Sequence, residues 1–253
     1  MSKSRILVWD LPTRLFHWFV TVGLIACFAF ALLSDEHSSG FMTHMILGIV
    51  LGTMVAMRVV WGFVGSRYAR FDSFLFGPAK VLSYFRGAFT GQEREYVGHN
   101  PGSSYGIFAM LALLGMAVVT GLMMSGGNEA AVEIHAASSY ALLAVVGVHL
   151  IGVIWYSVRH RENITLSMIT GTKDGGSADA IPSSRRIAAL AFVAVVGIVA
   201  GGLFQNFDRT KGQTRMPILN IVIPLGEVEE GGDHDRGGAA HPYRLIVNSV
   251  AVK

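Results

Sequence analysis

Two histidines, His135 and His149, lie fourteen residues apart in the apolar run 130–161. In a helix that spacing is close to four turns, so both side chains share one face, about 21 Å apart along the axis. This covers much of a hydrocarbon core about 30 Å thick. Two metal or haem sites stacked along one helix are the simplest chemistry for such a pair, provided other helices bring partners to the same depths. Two further histidines qualify: His17 opens the first apolar run and His44 opens the second. The remaining ones carry less. His37, His99 and His160 fall in loops or at span edges and read as interfacial. His234 and His241 belong to GGDHDRGGAAH, a stretch with some of the composition of a metal tract and more of a solvated tail.

The elements that must position these rings are membrane helices. Of 253 residues, 52% are hydrophobic and 15% charged, with a mean hydropathy of +0.49; a soluble domain carries about 25% charge. Apolar runs over 15–33, 42–64, 104–124, 132–157 and 186–204 read as five spans. Asp10 can cap the first and Pro12 suits its first turn. No A-x-A site closes the first run, so it reads as a retained span rather than a cleaved signal. The segment 71–89 reads as an interfacial amphipathic helix, because Lys80 and Arg86 interrupt it. The stretch KDGGSADA reads as a linker, and the polar tail contains one strand-like run, 218–225. The expected organisation is all-α: a four-helix transmembrane bundle over 1–175, a linker and fifth transmembrane helix over 176–205, and a tail over 206–253. Cys27 is the single cysteine. It rules out an intramolecular disulfide, a Cys-rich zinc or iron–sulfur site and the CxxCH that attaches haem covalently, and reads as a small buried hydrophobe.

Loop charges give the spans a direction. The segments before the first span, between the second and third, and between the fourth and fifth hold thirteen Lys and Arg residues. The loops SDEHSSG and SGGNEAAVE hold none. By the positive-inside rule the N-terminus is cytoplasmic, and the tail after the fifth span faces the periplasm. The pI near 9.1 therefore reflects topology, and no nucleic-acid partner is implied. Depths now pair: His44 with His135 on the outer side, and His17 with His149 on the cytoplasmic side. A ring in hydrocarbon is costly unless satisfied. The plain alternative for any one histidine is a hydrogen bond to a neighbouring helix; four rings at two matched depths favour bis-His axial ligation of two haems. Such ligation leaves no open iron position and suits electron transfer. Gly48, Gly52, Gly147 and Gly152 would let a planar macrocycle approach. Zinc wants four ligands in one place, a proton relay lacks carboxylates in the spans, and Met123 and Met124 read as packing. Arg58, inside the second span, and Arg14, one turn before His17, are candidate partners for haem propionates; snorkelling is the plain alternative for Arg58.

The pieces WDLPTRLFHW (9–18), HMILG (44–48), RVVWGFVGSRYARF (58–71), GHNPG (98–102) and HRENITLSMITGTK (160–173), in this order, resemble the bacterial cytochrome b-561 family, the four-helix di-haem membrane cytochromes related to the cytochrome b subunits of nickel–iron hydrogenases. The resemblance implies two non-covalent b haems held by His17, His44, His135 and His149, quinone chemistry, and electron exchange with a partner protein. The fifth span and the tail depart from the four-helix pattern. The expectation is a bacterial inner-membrane cytochrome that passes electrons between quinol and a periplasmic acceptor, most simply a c-type cytochrome. A homodimer is left open. Three alternatives stand beside it: a superoxide oxidase that reduces quinone, the haem b subunit of a hydrogenase-like oxidoreductase, and a non-redox transporter or scaffold.

Overall fold

The structure, a computed structural model, describes residues 4–35, 38–90 and 96–225. Among the described residues, five helices are long and apolar enough to cross a membrane: α1 (Leu11–Leu33), α2 (Ser39–Val64), α4 (Pro101–Ser125), α5 (Ala131–His160) and α7 (Arg186–Gln205). Two short helices, α3 (Pro78–Thr90) and α6 (Ile164–Thr170), lie between them. Three of the spans, α1, α2 and α4, start where polar side chains satisfy free N–H groups, whereas α5 and α7 have no side-chain cap. Asp10 Oδ1 accepts from the Thr13 N–H at 2.9 Å, Ser38 Oγ from Phe41 at 3.2 Å, and Asn100 Oδ1 from Ser103 at 2.8 Å. Pro12 and Pro101 stand in the first turns, where no N–H is needed.

Helix α1 packs along α2 and α4 along α5; α2 against α4 joins the pairs, and α7 closes on α2 and α1. Helix α2 is the most buried span. Its Ile46, Leu51 and Met54 form the core with Leu114, Leu142, Phe192 and Leu203. The outward faces carry exposed Val22, Ile151 and Ile187. In hydrocarbon such faces meet a solvent of their own kind, so no apolar driving force buries them.

Each end of the bundle carries a small two-stranded sheet. At the sheet end, where α1 starts and α5 stops, β1 (Ser4–Leu7) pairs antiparallel with β2 (Thr172–Gly175), Ser4 facing Gly175. Part of the expected linker is thus a strand. Gly171 makes the reversal at φ 84, and its carbonyl accepts from Val8 and Trp9. A Cβ there would stand 2.9 Å from the Trp9 carbonyl oxygen, so only glycine fits. At the opposite, hairpin end, β3 (Gln213–Arg215) and β4 (Val222–Pro224) follow α7. Within the strand-like run 218–225, Val222–Pro224 is strand β4, while its first residues form the turn of the hairpin, where Ile218 and Asn220 adopt left-handed φ values of 71° and 57°. The amphipathic segment is also shorter than expected. Phe71–Ser73 is a 3-10 turn and the helix begins at Pro78, whose ring favours an extended residue before it.

Candidate functional site

At the hairpin end, His44 of α2 and His135 of α5 face each other with ring centroids 6.3 Å apart and planes at 86°. His44 Nδ1 lies 2.8 Å from the Cys27 carbonyl oxygen on α1, and His135 Nδ1 lies 2.9 Å from the Ala117 carbonyl oxygen on α4. A carbonyl only accepts, so both Nδ1 atoms carry the proton and both Nε2 atoms keep the lone pair. Each ring is therefore oriented by a neighbouring helix, as metal-bound imidazoles are. Two imidazole–metal bonds of about 2 Å, with about 1.1 Å from each nitrogen to its ring centre, span about 6.2 Å. The observed separation fits one metal between two imidazoles. Gly121 makes room for this arrangement: a Cβ there would stand 3.3 Å from His135 Cε1.

Helix α5 does not run closely along either α1 or α2, although the rings of α2 and α5 meet. The intervening width suits a flat macrocycle. A Cβ at Gly48 or Gly147 would meet nothing within 4 Å, and the same holds for Gly152 on the exposed face of α5. Gly52 is different. Its added Cβ would lie 2.6 Å from Val118 Cγ1, so it lets α2 and α4 approach each other and does not cradle a cofactor.

At the sheet end, His17 is half-buried and stands edge-on to Trp18 at 5.0 Å. His149 is within electrostatic reach of it. The structure thus sets His44 and His135 ring against ring, and leaves His17 and His149 at electrostatic range of each other. Here the rings lack the carbonyl anchors of the other end, and His17 Nδ1 is buried without a hydrogen bond. Arg58 is 4% exposed, with its guanidinium 5.1 Å from the centre of the Phe71 ring. It is packed inside and does not snorkel. Asp10, itself buried, faces it as the nearby negative charge while accepting from Thr13 N and, at 3.1 Å, from Trp61 Nε1. Arg14 reaches away from the bundle and donates to the Ile169 carbonyl.

Two contributors had no legible signal in the sequence. Cys27 and Ala117 act through backbone carbonyls, which every residue type offers. His99, read as interfacial, is wedged between Trp9 at 4.7 Å and Phe74 at 4.4 Å. Its burial, with the nearby charges of Arg58 and Lys173 and the His149 ring, pushes its pKa down to about 3, so it is neutral. The GHNPG segment holding it was the available clue. His37, His234 and His241 lie outside the described residues.

The profile of the prokaryotic cytochrome b561 family matches residues 8–171, which include all four histidines and both arginines. Three curated relatives are each named probable Ni/Fe-hydrogenase B-type cytochrome subunit. That of Rhizobium leguminosarum bv. viciae is 26% identical over 216 residues, covering 68% of this chain and 90% of the relative. That of Bradyrhizobium diazoefficiens is 22% identical over 218 residues, covering 68% and 87%. That of Rhodobacter capsulatus is 20% identical over 219 residues, covering 67% and 81%.

Proposed function

The chain belongs to the prokaryotic cytochrome b561 family, a multi-pass membrane b-type cytochrome, and from that premise we propose that it carries electrons through two haems b between the quinone pool and a redox protein at the outer membrane face. The observation that carries this reading is the outer pair, His44 and His135, 6.3 Å apart with each Nδ1 fixed on a carbonyl of a third or fourth helix. His17 and His149 form the second pair, toward the cytoplasm in the orientation that the loop charges favour. Haem b, when bound, supplies one-electron iron chemistry. The chain supplies the rest: α1 and α4 hold the imidazoles of α2 and α5 in place, the apolar bundle keeps water out, and Arg58 offers a buried cation to propionate oxygens.

The names of the relatives favour a hydrogenase-type enzyme as the outer partner over a c-type cytochrome. Electrons would then pass from that enzyme to quinone in a bacterial inner membrane. The transporter or scaffold alternative is set aside by the family match. Superoxide chemistry would want free cations outside; at the hairpin end Lys211 sits 3.6 Å from Asp208 and Arg215 donates to Asn220, which weakens such a funnel. The test is spectroscopic. His44→Ala and His135→Ala should each remove the same one of two b-type components from a reduced-minus-oxidised spectrum, and His17→Ala and His149→Ala the other. Loss of one component by both His44→Ala and His17→Ala would refute the pairing.

A further inference from the structure

Buried side-chain donors without partners gather at the sheet end: Arg58 Nη1, His99 Nδ1, His17 Nδ1 and Ser66 Oγ. At the hairpin end both histidine Nδ1 atoms are satisfied. An unpartnered buried donor is costly, and more so when charged, so several in one place mark a group that the chain is built to receive. The charge there says which kind. Arg58 is a buried cation, and both oxygens of Asp10 already accept hydrogen bonds. Lys173, also buried, lies 3.7 Å from Glu162 and donates to the Tyr96 carbonyl. His99 is held rigidly by the rings of Trp9 and Phe74, and Phe74 in turn lies 6.0 Å from Phe71, over which Arg58 sits. A cation and a neutral N–H donor thus flank one aromatic wall.

We propose that His99 is the second donor, with Arg58, of a carboxylate-binding site, and that the carboxylate it holds is a propionate of the haem ligated by His17 and His149. This rests on the di-haem reading. His99 is a positioning residue: it fixes the edge of the macrocycle and takes no part in ligating iron. An anionic edge belongs at the polar end of a span, where the charge leaves hydrocarbon, and all of these donors lie there.

The test uses the full-length protein with haem ¹³C-labelled at the propionate carboxyls, in lipid nanodiscs. The readouts are redox-difference infrared spectra and spectrally resolved midpoints. His99→Phe keeps the packing against Trp9 and Phe74 and removes the donor; His99→Asn keeps a donor. The expected result is that His99→Phe shifts one isotope-sensitive carboxylate band and the midpoint of the component lost in His17→Ala, leaving the other component unmoved, and that His99→Asn returns the band toward wild type. An unchanged band and midpoint in His99→Phe, or a shift confined to the other component, overturns the proposal. So does a phospholipid that co-purifies with the wild type and is lost in His99→Phe with propionate bands unaltered, since the anion is then a lipid phosphate. If His99→Phe fails to assemble, Ser66→Ala and Arg58→Gln give the same readout. A wild type without two b-type components overturns the underlying reading, which is a different failure from that of His99.

Discussion

Replacing Gly52 by alanine separates helix packing from cofactor approach. The new Cβ would stand 2.6 Å from Val118 Cγ1, where carbon atoms rest at about 3.5–4.0 Å. Either α2 and α4 part by about 1 Å or Val118 turns, and a β-branched side chain on a helix has one strongly preferred rotamer. Alanine brings about 1 kcal/mol of helix propensity, against overpacking that costs up to about 3 kcal/mol. The expected outcome is a net loss of about 2 kcal/mol in detergent, read by thermal unfolding with far-UV circular dichroism. Val118→Ala removes the clashing methyl, Cγ1. The double variant should therefore be more stable than the sum of the two single changes by about 2 kcal/mol, within the range of coupling between touching residues. Strictly additive effects, or a Gly52→Ala protein of unchanged stability that has lost a b-type component, would refute this placement of Gly52 between two helices.

Asp10→Ala should cost about 2–4 kcal/mol in the same melt, because it removes the α1 cap and strands the buried end of Trp61 Nε1; Asp10→Asn should cost less. Gly121→Val should push on the His135 ring, since even a Cβ there comes within 3.3 Å. Electron paramagnetic resonance should show altered signals for the His44/His135 component alone. His99 has a folded-state pKa of about 3, below the unfolded value of about 6.5. Between those values the unfolded chain binds the extra proton, so stability present above pH about 6.5 falls as the pH drops toward 3. His99→Phe should flatten that part of a stability-against-pH curve.

The spans were legible because a hydrocarbon solvent imposes length and composition on each segment separately. Asp10 and Pro12 were legible because caps act within one turn. The approach of His44 to His135 could be read from helix spacing and alternating direction, without any knowledge of packing. What escaped was whatever the backbone contributes. The carbonyls of Cys27 and Ala117 have no residue signature. The pairing of Ser4–Leu7 with Thr172–Gly175 joins residues 165 to 171 positions apart in the sequence, and its only local hint was a glycine-rich stretch. Gly52 was misread because a glycine opens space equally for a neighbouring helix or a flat ligand, and only the position of Val118 distinguishes the two. The strand-like run held over Val222–Pro224 and failed at Ile218, where a β-branched residue takes a conformation that its own preference opposes.

The two ends of the bundle divide the work of holding a cofactor differently. At the hairpin end the protein completes its own polar network, so the rings of His44 and His135 are oriented whether or not a metal lies between them. At the sheet end Arg58, His99 and His17 keep buried donors open. There the network closes only through a group from outside the chain, and a group that satisfies several buried donors at once binds the folded state far better than the unfolded one. Occupancy at the sheet end should then stabilise the bundle more than occupancy at the hairpin end, by the usual linkage between binding and folding. Of the two single-site variants, His17→Ala should lower the unfolding temperature more than His44→Ala. The reverse order would mean that the open donors of the sheet end are met by water, and that the hairpin-end pair is the one whose structure depends on what it binds.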